Sequence, residues 1–344
     1  MLSRVLAFRP ASVLHRLSPR SGACPLSLRD VLAAATRAKL PSIEAESPDV
    51  IRAALVAAKV LHSAVGLTLP DGLQPEGWFD GVARIADEIA VALPVVLTAQ
   101  VTLGGESAVA VEQGAREVWR LIEAGLTHLV IDSAAVSAEE RGRVLAEVAA
   151  PLQERALGFD CAVALGEPGA GRRTVALLEE LVRRGAPADA LSVLCPAAPE
   201  LDSARAQLGA LDRLSEVVQG VPVLRRGPIS TELLAAAVGS RIRGCADGGV
   251  VAAAAGRSAG RAQGQAGEPA PERAGAWGAE VDPAPQQDRR ARWRDRAAAV
   301  LGPQAEQLEA QAFLAAADFI EALGAEQSAA EVVRGLERLS EDGA

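Results

Sequence analysis

Residues 123–148 read EAGLTHLVIDSAAVSAEERGRVLAEV, and this one stretch holds a complete strand-to-helix unit. Gly125 ends a helix predicted from Glu112 to Ala124, because a residue without Cβ takes up the left-handed C-cap conformation without strain. His128–Ser133 (HLVIDS) follows as a short apolar run of strand length. Ser137 then stands as an N-cap with Glu139 and Glu140 in the next turn, where the helix dipole favours negative charge.

The same alternation runs outward in both directions. Eight strands are expected: Ser42–Glu46, Ala64–Leu69, Val95–Val101, His128–Ser133, Gly158–Leu165, Ala190–Cys195, Pro222–Arg226 and Arg241–Ala246. Charged amphipathic segments separate them; one begins at Pro48-Asp49 and carries Val50, Ile51, Ala54 and Leu55 at helical spacing. Strands alternating with helices imply βαβ units and a parallel sheet. Eight such strands close a (β/α)₈ barrel, an α/β fold of about 250 residues. The competing open doubly wound sheet calls for a Gly-rich first turn, and the first strand here runs into SIEAESPD instead.

The 344 residues leave room beyond one barrel. The expected division is a flexible segment over 1–25, the barrel over 26–253, a low-complexity loop over 254–292 and closing helices over 293–344. Residues 254–292 are mostly Ala, Gly, Arg, Gln and Pro, which bury too little apolar surface to offset their ordering entropy. Trp293, Leu301, Phe313 and Phe319 mark the return of helices, and Ser328–Leu339 a last short one. Arg4, Arg9, Arg16 and Arg20 precede the first acid, Asp30. That pattern is transit-like, although a cytoplasmic protein with a frayed N-terminus is the simpler expectation.

A net charge of −9 argues against a nucleic-acid surface, which needs a clustered basic face. No apolar run reaches membrane-spanning length. The four Cys show no CxxC spacing and are expected as buried thiols. His15, His62 and His128 are the three histidines. They are expected at the N-terminal segment, a helix end and the start of a strand, so no two readily share an ion. A catalytic Zn²⁺ typically takes three protein ligands, so no metal and no cofactor is expected. Lys39 and Lys59, the two lysines, lie off the strand ends where a Schiff-base lysine would be needed.

Barrel chemistry sits at the C-terminal ends of strands and in the loops after them. The candidate catalytic residues there are Glu44, Glu46 and Asp132. The candidate ligand-binding residues are Gln100, Arg226, Gly227, Asp247, Gly248 and Gly249. Glu44 and Glu46, two apart, are expected on one strand face, where they would need a cation or a shared proton. Arg225 and Arg226 face opposite ways, so only one can enter the barrel.

Several segments, in order, resemble the class II ketose-bisphosphate aldolases, including the non-catalytic subunit type of tagatose-bisphosphate aldolase. PSIEAESPDVIRAALVAAKVLHSAVGLTL is similar to that family's first strand, helix and second strand. LPVVLTAQV stands where its third strand is found, the opening stretch 123–148 is similar to its fourth strand and following helix, and VPVLRRGPISTELLAAAVGSRIRGCAD takes the place of strands seven and eight. The resemblance implies an aldolase-type barrel over roughly residues 26–250. The departures fall on the chemistry. Where the family has Asp-His at the end of strand three, this chain has Gln100-Val101. Ala162 and Ala164 stand near the family's acids on strand five, and Cys195-Pro196-Ala197-Ala198 where a His follows strand six. Arg226-Gly227-Pro228 replaces a His and a Gly-rich phosphate loop. The expectation is a divergent member that has lost metal-dependent aldol cleavage. It would act as a binding or non-catalytic accessory subunit for a phosphorylated or anionic small molecule, as a homo- or hetero-oligomer. The alternative is an active aldehyde-lyase or isomerase of carbohydrate metabolism, using carboxylate and Arg chemistry.

Overall fold

The computed structural model describes residues 5–165, 170–198, 200–228, 230–237, 239–246, 251, 254, 283–302 and 310–342. Eight parallel strands form a closed barrel: β1 Leu40–Glu44, β2 Val65–Thr68, β3 Pro94–Thr102, β4 His128–Asp132, β5 Gly158–Ala164, β6 Ala190–Leu194, β7 Val223–Arg226 and β8 Gly244–Ala246. Each pairs with the next, and β8 returns to β1 through Leu40↔Gly244 and Ser42↔Ala246. Helices α1 Pro48–Leu61, α2 Pro75–Glu88, α3 Ser107–Glu123, α4 Arg141–Glu154, α5 Ala170–Arg183, α6 Leu201–Val217 and α7 Thr231–Ala237 follow β1 to β7 in turn. Among the described residues no helix is long and apolar enough to cross a membrane.

Strand parity divides the side chains into two populations. Ile43, Leu67, Leu97, Leu129, Ile131, Phe159, Leu191 and Val193 face the helices and form the main apolar core with residues such as Phe79 and Leu55. The alternate positions face the barrel interior. There Ser42 meets Thr68 across β1 and β2 at 3.0 Å, and the polar residues described below cross the interior from β4 to β7.

Within the segment expected to be flexible over 1–25, the described residues 5–25 make defined contacts. A two-residue strand, Cys24–Pro25, pairs with Pro94 and Val95 at the start of β3. Helix Leu28–Ala34 then closes the bottom of the barrel, its N-cap Ser27 accepting from the Asp30 backbone N–H. Leu26, Leu28, Val31 and Leu32 form a second apolar cluster with Leu40, Val96, Ala190 and Leu224. Val13 is fully buried. The arginines are used as well: Arg16 bonds Asp80 at 2.7 Å and lies over the Phe79 ring, and Arg9 donates to the Ser21 and Ala23 carbonyls. Among the described residues of this arginine-spaced segment, Val13 and Leu17 are buried against the core.

Three C-terminal helices complete the wall: α8 Pro283–Leu301, α9 Ala310–Ala322 and α10 Ser328–Asp342. Helix α9 packs along α1, and α10 crosses the floor helix. Helix α8 begins ten residues before the expected return of structure at Trp293. Its buried residues Trp293, Ala297 and Leu301 recur every fourth position, but the Arg-rich surroundings hide so narrow a stripe. The remainder of the expected low-complexity loop, 255–282, lies outside the described residues.

Candidate ligand site at the barrel mouth

Inward-facing positions on four strands bring together Glu44 and Arg226, at the ends of β1 and β7, and Asp160 and Ser192, within β5 and β6. Arg226 Nε donates to Ser192 Oγ at 3.0 Å, and that hydroxyl donates to Asp160 Oδ2 at 2.8 Å. The direction is fixed by chemistry, since guanidinium only donates and carboxylate only accepts. On the other side of Asp160 stands His128, its Nε2 3.1 Å from Asp160 Oδ1. This contact is off the line of a hydrogen bond, so both ring nitrogens and Asp160 Oδ1 lack one. Asp160, Ser192 and His128 are buried, whereas Arg226 is half-buried and reaches the mouth.

Burial is the main cause of the upward shift of the Glu44 carboxyl pKa; Glu46 and Asp71 push the same way, and Arg226 opposes them. Burial likewise pulls the Arg226 guanidinium below its ordinary value, against the attraction of Asp160 and Glu44. The pair therefore stands at the edge of the low-dielectric interior, where charge interactions are stronger than in water. Below Arg226 a void of about 20 Å³, lined by Ser42, Thr98, His128 and Leu224, remains. That is room for about one water, so any larger ligand must sit above Arg226.

The other expected site residues are spread around this centre. Glu46 lies beyond the end of β1 and is exposed. It acts on Glu44 as a neighbouring charge and does not share the strand face that was expected. Asp132 ends β4 and accepts from the Ala134 backbone N–H at 2.9 Å, capping the turn. Gln100 is exposed and lines a separate groove of about 500 Å³ with Asp71, Thr102 and Glu117. Gly227 has φ 130°, and a Cβ there would overlap the Cys195 carbonyl. Its requirement for glycine comes from this close approach between loops. Asp247, Gly248 and Gly249 lie outside the described residues. Arg225 faces outward as expected and is fully buried; it donates to Gln207, the Gly227 carbonyl and the Pro228 carbonyl.

Lys39 donates to the Ala237 and Ser240 carbonyls at the end of α7, and Lys59 to the Ile89 carbonyl at the end of α2. Both lysines thus cap helix C-termini, where the dipole favours a cation. All four thiols are buried, and burial raises Cys195 to about 11. A His-liganded zinc does not fit the residues present. His62 caps the C-terminus of α1 and His128 is locked in the interior on β4, while His15 ends the short helix Ala11–Leu14. Among the described residues no three His, Cys, Asp or Glu side chains gather as a metal cluster.

Sequence reasoning missed Asp160 and Ser192, and placed His128 only at a strand start. The signal for Asp160 was available: an acid inside the apolar run GFDCAVAL is costly unless paired. Its parity also puts it on the same face as Ala162.

No family model matches this chain, and no curated protein matches it in sequence. Solved structures match it in fold. The YdjI aldolase from Escherichia coli K12 superposes with a TM-score of 0.57 at 15% identity, over 88% of this chain and 98% of that one. A protein from Coccidioides immitis described as a fructose-1,6-biphosphate aldolase gives 0.51 at 14% identity, over 89% and 96%. Both likenesses run nearly the full length of the neighbours, and at such identities they are likenesses of fold: the chain is a (β/α)₈ barrel.

Proposed function

We propose that the chain binds a small polar molecule at the barrel mouth, with Arg226 as its anion-facing group, and acts as a binding or accessory subunit without His-liganded zinc chemistry. The observation that carries this reading is Arg226 itself. It is an Arg on an inward strand end, held through Nε by Ser192, at the position where the sequence resemblance implies a metal-binding His. Arg suits a carboxylate or phosphoryl group because its planar fork offers paired donors. Exchange of His for Arg removes a metal ligand yet keeps attraction for negative charge.

Titration calorimetry with inorganic phosphate and small carboxylates tests it. Binding by the native protein and its loss in Arg226→Ala, with the unfolding midpoint held, is the expected outcome. Heats that are indistinguishable between the two proteins would remove Arg226 from the site. Co-purification of a second chain from the native host tests the accessory role.

A second reading is favoured by the raised pKa of Glu44. A carboxyl whose pKa is raised holds its proton more readily than an ordinary carboxyl and can pass it to a ligand as an acid. In this reading Glu44 serves as acid or base beside Arg226 in a carbon–carbon lyase or an isomerase. Assays of aldol cleavage and ketose–aldose exchange, with Glu44→Gln as the control, separate it from simple binding.

A further inference from the structure

We propose that His128 is the proton-binding partner of the Arg226 site: it takes up a proton when an anion occupies Arg226, which makes that binding tighter at lower pH. This rests on the reading that the mouth binds its ligand through Arg226, and adds the group that answers the ligand's charge. His128 acts through Asp160 and Ser192, so its part is that of a positioning residue.

Three buried polar atoms without hydrogen bonds meet in one place: Nδ1 and Nε2 of His128 and Oδ1 of Asp160. Buried polar atoms in that condition are uncommon and costly. His128 is 1% and Asp160 0% exposed, and Nε2 stands 3.1 Å from Oδ1. The void of about 20 Å³ that His128 borders with Ser42 and Thr98 gives the ring room to turn into line. A neutral imidazole has one N–H and an imidazolium two, so protonation secures a donor at Nε2 for Asp160.

Charge balance sets the direction. Without a ligand, the Arg226 guanidinium answers the Asp160 carboxylate through the Ser192 hydroxyl. An anion on the Arg226 fork shares that guanidinium with Asp160. Added negative charge favours the protonated form of titratable groups near it, and histidine is the side chain that ordinarily changes charge between about pH 5 and 8. Among the described residues, the charged and titratable groups around His128 come from several sides. Asp160 stands on β5, Arg226 on β7 and Glu44 on β1, while Cys245 of β8 borders the same void. Thr98 of β3 and Leu28 of the floor helix border it too, and neither titrates. At the start of β5, Asp189 is held by Arg29 at 2.6 Å. Beside the other end of that strand, Arg141 and Arg173 line the groove with Ala162. Those arginines attract an anion but keep their charge at every ordinary pH, so they take up no proton. Glu44, whose carboxyl is raised chiefly by burial, is the competitor for the proton.

Titration calorimetry of the full chain with glycerate, repeated in buffers of different protonation enthalpy, counts the protons that move with the ligand. A carboxylate does not itself titrate between about pH 6 and 8, so a proton taken up there goes to the protein. Uptake of at least about 0.3 proton per ligand is expected within that range. Affinity should rise as pH falls, by at most about tenfold per pH unit, the limit for one proton. His128→Gln is expected to remove the uptake and Glu44→Gln to retain it. A second measurement needs no substitution. His15 and His62 are exposed and His128 is buried, so the nitrogen-15 shifts of three imidazoles in the native protein report on His128 directly. Its ring is expected to move toward imidazolium as glycerate is added. Binding with smaller uptake at every pH, or with proton release, would overturn the role of His128 while leaving the Arg226 site standing. The same holds for uptake that survives in folded His128→Gln, and for a His128 ring whose shifts do not move when glycerate is bound. No binding of glycerate by the native protein would overturn the Arg226 reading itself, and this proposal with it.

Discussion

At Glu44, burial and two neighbouring carboxylates act in one direction and Arg226 in the other, with the net shift upward. A carboxyl whose folded pKa lies above its unfolded value favours the folded state fully at pH below the unfolded value. That contribution is lost as pH rises through the folded pKa. Glu44→Gln is therefore expected to raise the unfolding midpoint at pH 8 and to leave it unchanged at pH 4, measured by thermal unfolding at both. A lower midpoint at pH 8 would mean that attraction to Arg226 outweighs burial. Gly227 gives a second residue-scale prediction. With φ 130° and the Cys195 carbonyl in the path of a Cβ, Gly227→Ala should destabilise by about 1–3 kcal/mol from backbone conformation alone, read as a denaturation-midpoint shift. Glu44 and Arg226 were legible from the sequence because strand ends are where barrel chemistry gathers. Asp160 and Ser192 were not, because attention to strand ends passes over mid-strand positions. His128 was noticed but given no partner, since Asp160 comes to it only through the β4–β5 register.

Among the elements, the eight strands follow the expected alternation closely, and each observed strand overlaps its expected one. β1 shows the ordinary error: it runs from Leu40 to Glu44 instead of from Ser42 to Glu46. The shift of two preserves parity, so Glu44 still faces inward, but it moves Glu46 into the loop. The N-terminal floor was less legible, because arginine spacing says nothing about whether the apolar residues between them are buried. Leu28 is buried against the barrel bottom, so Leu28→Ala should cost about 2–5 kcal/mol by chemical denaturation. A flexible tail would show no change. Two helical glycines make a sharper comparison. A methyl at Gly335 in α10 would overlap the backbone of Ala34 in the floor helix, whereas one at Gly209 in α6 would meet only the Arg213 side chain at 3.6 Å. Gly209→Ala should stabilise by about 0.5–1 kcal/mol through helix propensity. Gly335→Ala should destabilise instead, and a gain there would show that α10 does not dock on the floor.

Taken whole, the molecule is a (β/α)₈ frame whose inward strand positions carry Glu44, Asp160 and a single Arg among the described strand residues. The frame was readable because apolar alternation is a property of every strand and survives at 15% identity to a solved neighbour. The ligand site was readable only in part, because its charge balance depends on which side chains share the interior. With His62 and His128 held in separate structural roles, fructose 1,6-bisphosphate is expected not to be cleaved at a rate that depends on added divalent metal. Metal-dependent cleavage abolished by His128→Ala would reverse that expectation. The central claim is a ligand seated on Arg226 at the mouth, and the most direct measurement is a crystal structure of the protein soaked with glycerate. The account predicts the carboxylate within hydrogen-bond distance of the Arg226 guanidinium, with hydroxyls toward Glu44. Glycerate bound instead in the groove of about 470 Å³ lined by Arg141, Ala162 and Arg173, with Arg226 untouched, would contradict it.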